Sequence, residues 1–189
     1  GLPPNSSAKY WVVYANNSLQ GLVKEMIQDA WEKKGVAFPW HQVELCHIKN
    51  LLEMLLSQVG IPAQRFGFDY DAAAKAYLER CPAEAIPACC DAMFIDEGQD
   101  MGGNTLRVLA ALVRRSDAAD PKSRSINIFY DNAQNIFRRS TPKWADMALD
   151  MRGRSTIMKE SFRATQPISE FALNVLYRLE PPKPDDEDH

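Results

Sequence analysis

The chain has 189 residues, 46% of them hydrophobic, and a formal net charge of −3. That length buries one sizeable core with at most a small appendage, and the weak negative charge excludes a chain that grips nucleic acid with its whole surface. The longest apolar runs, such as residues 108–113, fall far short of a membrane span and no secretory signal pattern opens the sequence, so a cytoplasmic location without a membrane partner is expected.

Residues 1–9 combine two prolines, two serines and an asparagine, a composition that predicts a flexible lead-in. Tyr10, Trp11, Val12, Val13 and Tyr14 are β-branched or aromatic and give way to Ala15, Asn16, Asn17 and Ser18. A strand is therefore expected to run into a helix cap. Leu19, Leu22, Val23, Met26, Ile27, Ala30 and Trp31 then recur at i, i+3, i+4, i+7, i+8, i+11 and i+12, one apolar stripe of a helix that Gly35 ends. A second strand is predicted over residues 42–46. The helix after it carries Ile48, Leu51, Leu52, Leu55, Leu56 and Val59 on one side and stops at Gly60. Residues 69–80 read as a further helix, started by Asp69 and enriched in alanine; Pro82 and Pro87 fence a short connector.

Ala92, Met93, Phe94 and Ile95 form a short apolar run that ends in Asp96, Glu97, Gly98, Gln99 and Asp100. An uninterrupted apolar run suits a strand buried on both faces of a parallel sheet, and such sheets place their chemistry just beyond the carboxyl ends of the strands. A carboxylate there can hold Mg²⁺ while its neighbour orients an attacking water; the same pattern also suits a strand followed by an acidic helix cap. Leu106, Leu109, Ala110 and Val113 give the next helix its apolar face, with Arg114 and Arg115 placed to suit its C-terminus. Residues 125–130 read as another strand ending in a polar turn, here Asp131, Asn132, Gln134 and Asn135. Thr141 before Pro142 predicts a helix start, residues 155–158 a last strand, and Thr165 the start of a helix to about Tyr177; residues 181–189 read as a disordered acidic tail. Strands alternating with helices and no fixed repeat predict an α/β layered domain.

Cys46, Cys81, Cys89 and Cys90 show no C-x-x-C spacing and read as reduced, structural thiols. The net charge conceals an asymmetry. Between residues 138 and 163, Arg138, Arg139, Lys143, Arg152, Arg154, Lys159 and Arg163 face only Asp146, Asp150 and Glu160, which leaves that segment at +4.

The order of three motifs resembles the superfamily 1 DNA helicases of the UvrD/Rep type. Residues 95–100 look like their DExQD form of the Walker B motif, residues 130–137 like their GDxxQxIY/F motif, and Ser161, Phe162, Arg163, Ala164 and Thr165 like their NYRST motif. Residues 10–19 correspond to the family's strand-binding motif Ia, and residues 43–48 to its motif Ib. The chain departs from the pattern at Tyr130, where the family has glycine; at Arg139, where it has a second aromatic; at Ser161, where it has asparagine; and at Leu45 and Cys46, which precede His47 in place of a threonine and an aromatic.

The resemblance implies a RecA-like parallel sheet with flanking helices, incomplete at its N-terminal strand, over residues 10–160, with a small helical insertion at about 60–88 and the start of a next domain at 161–180. It implies ATP and Mg²⁺ as cofactors, Asp96 as the Mg²⁺ ligand and Glu97 as the residue that activates water. Gln99, Asp131 and Gln134 would lie near the nucleotide, with the two glutamines sensing the γ-phosphate, and Arg163 would serve as an arginine finger. Asn16, Asn17, Phe137, Arg138 and Arg139 would contact single-stranded or partly duplex DNA, with Phe137 as a stacking face. No G-x-x-x-x-G-K-[ST] occurs in the 189 residues. The expectation is thus a fragment of a helicase motor whose partner is the rest of the parent chain, and whose strand at 126–130 offers an open edge for self-association. The alternatives are a helicase-like module that binds nucleic acid or protein without hydrolysis, and a metal nuclease using Asp96, Glu97 and Asp100.

Overall fold

In the computed structural model residues 7–16, 19–33, 35, 38–120 and 123–130 are described, as are residues 144, 149, 154, 156, 167, 168, 170 and 171. Two compact units divide the chain, Gly1–Asp150 and Met151–His189. The second is described only at a few positions, where residues 167, 168, 170 and 171 are helical and Ile168 and Phe171 are exposed.

The first unit alternates strand and helix: β1 (Tyr10–Tyr14), α1 (Leu19–Glu32), β2 (Val43–His47), α2 (Ile48–Gln58), α3 (Tyr70–Arg80), β3 (Ala92–Ile95), α4 (Gly103–Leu112) and β4 (Ser125–Ile128). The strands form one sheet in the order β2-β1-β3-β4, and every pairing is parallel. Parallel neighbours need long crossovers, which the helices supply. The register sets Trp11 beside Met93 and Val13 beside both Cys46 and Ile95. Those side chains share one face of the sheet, and they join Leu51, Leu52, Leu55 and Leu56 of α2, Ala74 and Tyr77 of α3 and Leu106 and Leu109 of α4 in a single buried cluster. Fully burying each leucine or isoleucine contributes roughly 1.5–3 kcal/mol, so this face is the main source of stability.

Local signals terminate the helices. Gly60 takes a left-handed φ of 72°, its N–H reaches the carbonyl of Ser57, and Ile61 N–H returns to the carbonyl of Leu56 at 3.0 Å, which satisfies the last turn of α2. Asp69 caps α3 by accepting from Ala72 N at 3.0 Å. The helical residues between 60 and 88 are two 3₁₀ turns, 63–65 and 83–85, on either side of α3.

An apolar stripe does not by itself say what it packs against, and an arginine pair near a helix end need not cap it. The stripe on α1 is not core: Val23, Ile27 and Trp31 are half-buried, whereas Leu22 and Met26 are exposed to 48% and 61%. The crossover from β1 to β2 runs against the direction of the other two, and the right-handed rule for parallel connections then assigns α1 to the opposite sheet face. There Trp31 packs edge-on against Phe38, Phe38 against Trp40, and Lys24 lies over the Trp40 ring. The helix thus rests on the loop before β2. Nor do the two arginines cap α4. It ends at Leu112, Val113 bridges to Cys90, and Arg114 forms an ion pair with Asp91 instead.

Candidate functional site at the carboxyl ends of the strands

Because all four strands run the same way, the segments that follow them, beginning at Ala15, Ile48, Asp96 and Phe129, line one edge of the sheet. The β3 segment stands between those of β1 and β4. Asp96 N–H donates to the carbonyl of Val13 at 2.9 Å and extends the ladder by one step. The chain then turns sharply at Glu97, whose φ of 50° and ψ of 48° place a non-glycine residue in the left-handed region. Such a conformation costs of order 1 kcal/mol or more and persists only where its surroundings impose it.

What imposes it is a 3₁₀ turn over residues 98–100. Asp100 N–H donates to the Glu97 carbonyl at 2.9 Å and Met101 N–H to that of Gly98 at 3.1 Å. Gln99 is buried, 4% exposed, and its Nε2 donates to Glu97 Oε2, so an amide holds the carboxylate in one orientation. From the other side Gly98 N–H donates to the carbonyl of Phe129 at 2.8 Å, while Phe129 N–H donates to that of Ile95 at 2.8 Å. A Cβ at residue 98 would come within 2.4 Å of Ile128 Cγ2 and 3.3 Å of the Phe129 oxygen. Only glycine fits there, and it lets the end of β4 close against the acidic turn. Tyr130, which replaces the glycine of the resembling motif, is half-buried and packs edge-on against Trp144 with centroids 6.5 Å apart.

The β1 end is tied to β2 by His47, a residue 5% exposed. Its Nε2 lies 2.9 Å from the carbonyl of Ala15 and its Nδ1 accepts from Lys49 N at 3.1 Å. One nitrogen donates and the other accepts, the pattern of a neutral imidazole protonated at Nε2. His47 is at once the N-cap of α2 and the tether of the loop that begins at Ala15 and continues to the exposed Asn16.

Of the residues singled out from the sequence, Asp96, Glu97 and Gln99 share one turn, and Asn16 follows the neighbouring strand. Asn17, Asp131, Gln134, Phe137, Arg138, Arg139 and Arg163 lie outside the described residues. Among the described residues no three of histidine, cysteine, aspartate and glutamate converge on a common point where a metal ion would sit. The nuclease alternative needs Asp96, Glu97 and Asp100 to do so. A Mg²⁺ held by one carboxylate and by phosphate oxygens has no such need, and Asp96, half-buried at the strand end, suits that role. Asp71 is not among the residues singled out from the sequence, yet its carboxylate reaches the start of α4. A signal for it exists: Met101 and Gly102 precede α4 and Gly103 opens it, none with a capping side chain, so the cap must come from elsewhere. Neither a protein-family model, nor a curated protein, nor a solved structure matches the chain.

Proposed function

We propose that the chain forms part of an ATP-hydrolysing motor of the superfamily 1 DNA helicase kind, with Asp96 holding the Mg²⁺ of MgATP and Glu97 orienting the attacking water. The observation that carries this reading is the Gln99 amide on the Glu97 carboxylate, in a strained turn at the end of a central parallel strand. A carboxylate that must present one oxygen to a water benefits from being held before substrate arrives. Bound Mg²⁺ would neutralise charge on the phosphates. The sheet order supports a RecA-like arrangement, in which nucleotide and DNA meet the carboxyl ends of the strands. Asn16, beside the His47 tether, supports a strand-binding role for the β1 loop.

The phosphate-cradling loop would come from elsewhere in the same polypeptide, since the 189 residues contain no G-x-x-x-x-G-K-[ST]. In a protein that joins this chain to such a loop, Glu97→Gln should leave ATP affinity nearly unchanged and lower DNA-stimulated turnover by roughly 10² or more. Retention of the parental kcat by that variant would overturn the role of Glu97. The same sequence observation favours a second reading, a module that binds nucleic acid or protein without hydrolysis. Under it, a parent protein with no lysine-bearing loop would bind single-stranded DNA equally well with and without ATP.

A further inference from the structure

Helix α4 begins without a cap of its own. Gly102 occupies the N-cap position with an extended backbone, φ −75° and ψ 168°, and has no side chain to accept the free N–H groups of the first turn. The carboxylate of Asp71, from the first turn of α3, fills the gap. Asp71 Oδ1 accepts from Asn104 N at 2.8 Å and from Thr105 N at 3.0 Å, and Oδ2 accepts from Asn104 Nδ2 at 2.8 Å. A Cβ at residue 102 would stand 2.2 Å from Asp71 Cγ, so the remote carboxylate fills the space that a side chain at residue 102 would need.

The capped end is one residue from the acidic turn. Met101, 2% exposed, donates its N–H to the carbonyl of Gly98, and Leu106 N–H reaches the carbonyl of Gly102. Asp71, the α4 N-terminus, the 98–100 turn and the Glu97–Gln99 pair are therefore consecutive links of a short path, joined by hydrogen bonds and, between Met101 and Gly102, by the backbone itself. We propose that Asp71 is a positioning residue: through the first turn of α4 it holds the 98–100 turn, and with it the orientation of Gln99 toward Glu97. Helix α3 thereby becomes an element whose displacement would loosen the site. The catalytic consequence rests on the reading of Glu97 given above; the structural coupling does not.

Amide exchange and the Gln99 side-chain NH₂ resonances of the ¹⁵N-labelled chain test the coupling without nucleotide. Asp71→Ala should lower protection of the Asn104 and Thr105 amides roughly tenfold, the loss expected of one helix cap, and should shift the Gln99 side-chain signals while Val13 and Met93 stay protected. Gly102→Ser alone should do similar harm, because its Cβ collides with Asp71. The double variant Asp71→Gly/Gly102→Ser should recover both readouts, because serine then caps locally and glycine at 71 removes the carboxylate and the Cβ that would stand 2.6 Å from the serine Cβ. A double variant no better than either single change would overturn the contact. Gln99 signals unmoved while Asn104 and Thr105 lose protection would overturn the coupling and leave Asp71 a cap only. Where Asp71→Ala does not fold, Asp71→Leu, which keeps the bulk and removes both acceptor oxygens, takes its place with the same two readouts. Inert behaviour of Glu97→Gln in hydrolysis would leave every one of these results standing.

Discussion

His47 and Ala15 are 32 residues apart in sequence, yet the Nε2 of the one lies 2.9 Å from the carbonyl oxygen of the other, across the seam between β1 and β2. The second ring nitrogen is committed to Lys49 N–H, so a single buried imidazole satisfies a strand-end carbonyl and an orphan helix amide together. The T-shaped contact with Tyr14, centroids 5.6 Å apart, fixes the plane of the ring.

Replacing His47 by phenylalanine keeps the shape and removes both hydrogen bonds. The buried groups left behind cost roughly 1–3 kcal/mol each when unsatisfied, and the cap adds about 1 kcal/mol. His47→Phe should therefore destabilise the chain by about 2 kcal/mol or more in denaturant unfolding and raise amide exchange at Asn16 and Lys49. Exchange at Asn16 equal to that of the parent chain would show that the tether does not hold the β1 loop.

Gly98→Ala should be disruptive despite adding one methyl group. The new Cβ would meet Ile128 Cγ2 at 2.4 Å, and strain of this kind costs typically 1–3 kcal/mol. Because Ile128 ends β4, removing its Cγ2 relieves the collision: Gly98→Ala/Ile128→Ala should be more stable than the sum of the two single effects predicts. Strict additivity in thermal unfolding would mean that the turn moves away from β4 freely.

The four thiols should separate by reactivity. Cys89 is half-exposed, and hydrogen bonding from Cys90 lowers its pKa with help from Arg114, whereas that same hydrogen bond and burial raise Cys90. Burial raises Cys46 to about 12, assisted by Glu44 and Cys89. Iodoacetamide at neutral pH should label Cys89 well before Cys46 or Cys90, read by mass spectrometry of the native chain. Cys46, and Tyr77, which burial and a hydrogen bond with Cys81 raise to about 12, are both protonated more readily folded than unfolded. Their contribution is thus fully present below the ordinary values of 9.0 and 10.0 and is lost as pH rises through about 12. Stability should fall across pH 9 to 12, and a flat profile there would contradict the burial of these groups.

Much of this fold is legible because it is periodic or punctuated. Tyr10–Tyr14 and Ala92–Ile95 are short apolar runs that stop at polar residues, and both are strands; Asp69 and Gly60 mark helix ends by chemistry local to the backbone. The acidic turn after β3 is visible as residue types, since Asp96, Glu97 and Asp100 close an apolar run abruptly. What composition does not carry is which faces meet. The α1 stripe has the spacing of a core helix, but its neighbours are Phe38 and Trp40, and nothing in the period distinguishes a loop from a sheet as the partner. The Asp71 cap is hidden for a related reason. A capping side chain ordinarily lies within about four residues of the amides it satisfies, and this one arrives from 33 away.

Among the described residues β4 is paired only with β3. Phe129 N–H points to Ile95, and alternate residues of a strand present their amides to the same side, so Asn127 and Phe129 face β3 while Ile126 and Ile128 turn theirs outward. The outer groups meet little polar protection: Ser125 and Asn127 are exposed, but Phe129 is 46% exposed and both isoleucines are only half-buried. An apolar edge of this kind recruits another strand. Sedimentation over a concentration series should show association rising with concentration. Amide exchange should then slow at Ile126 and Ile128 as the complex forms, with Asn127 and Phe129 protected throughout. A Phe129→Lys variant should stay monomeric, since a charge at an edge disfavours pairing. If the parent chain is a strict monomer and its Ile126 and Ile128 amides are already protected at the lowest concentration, the edge is covered within the chain and the prediction of self-association fails.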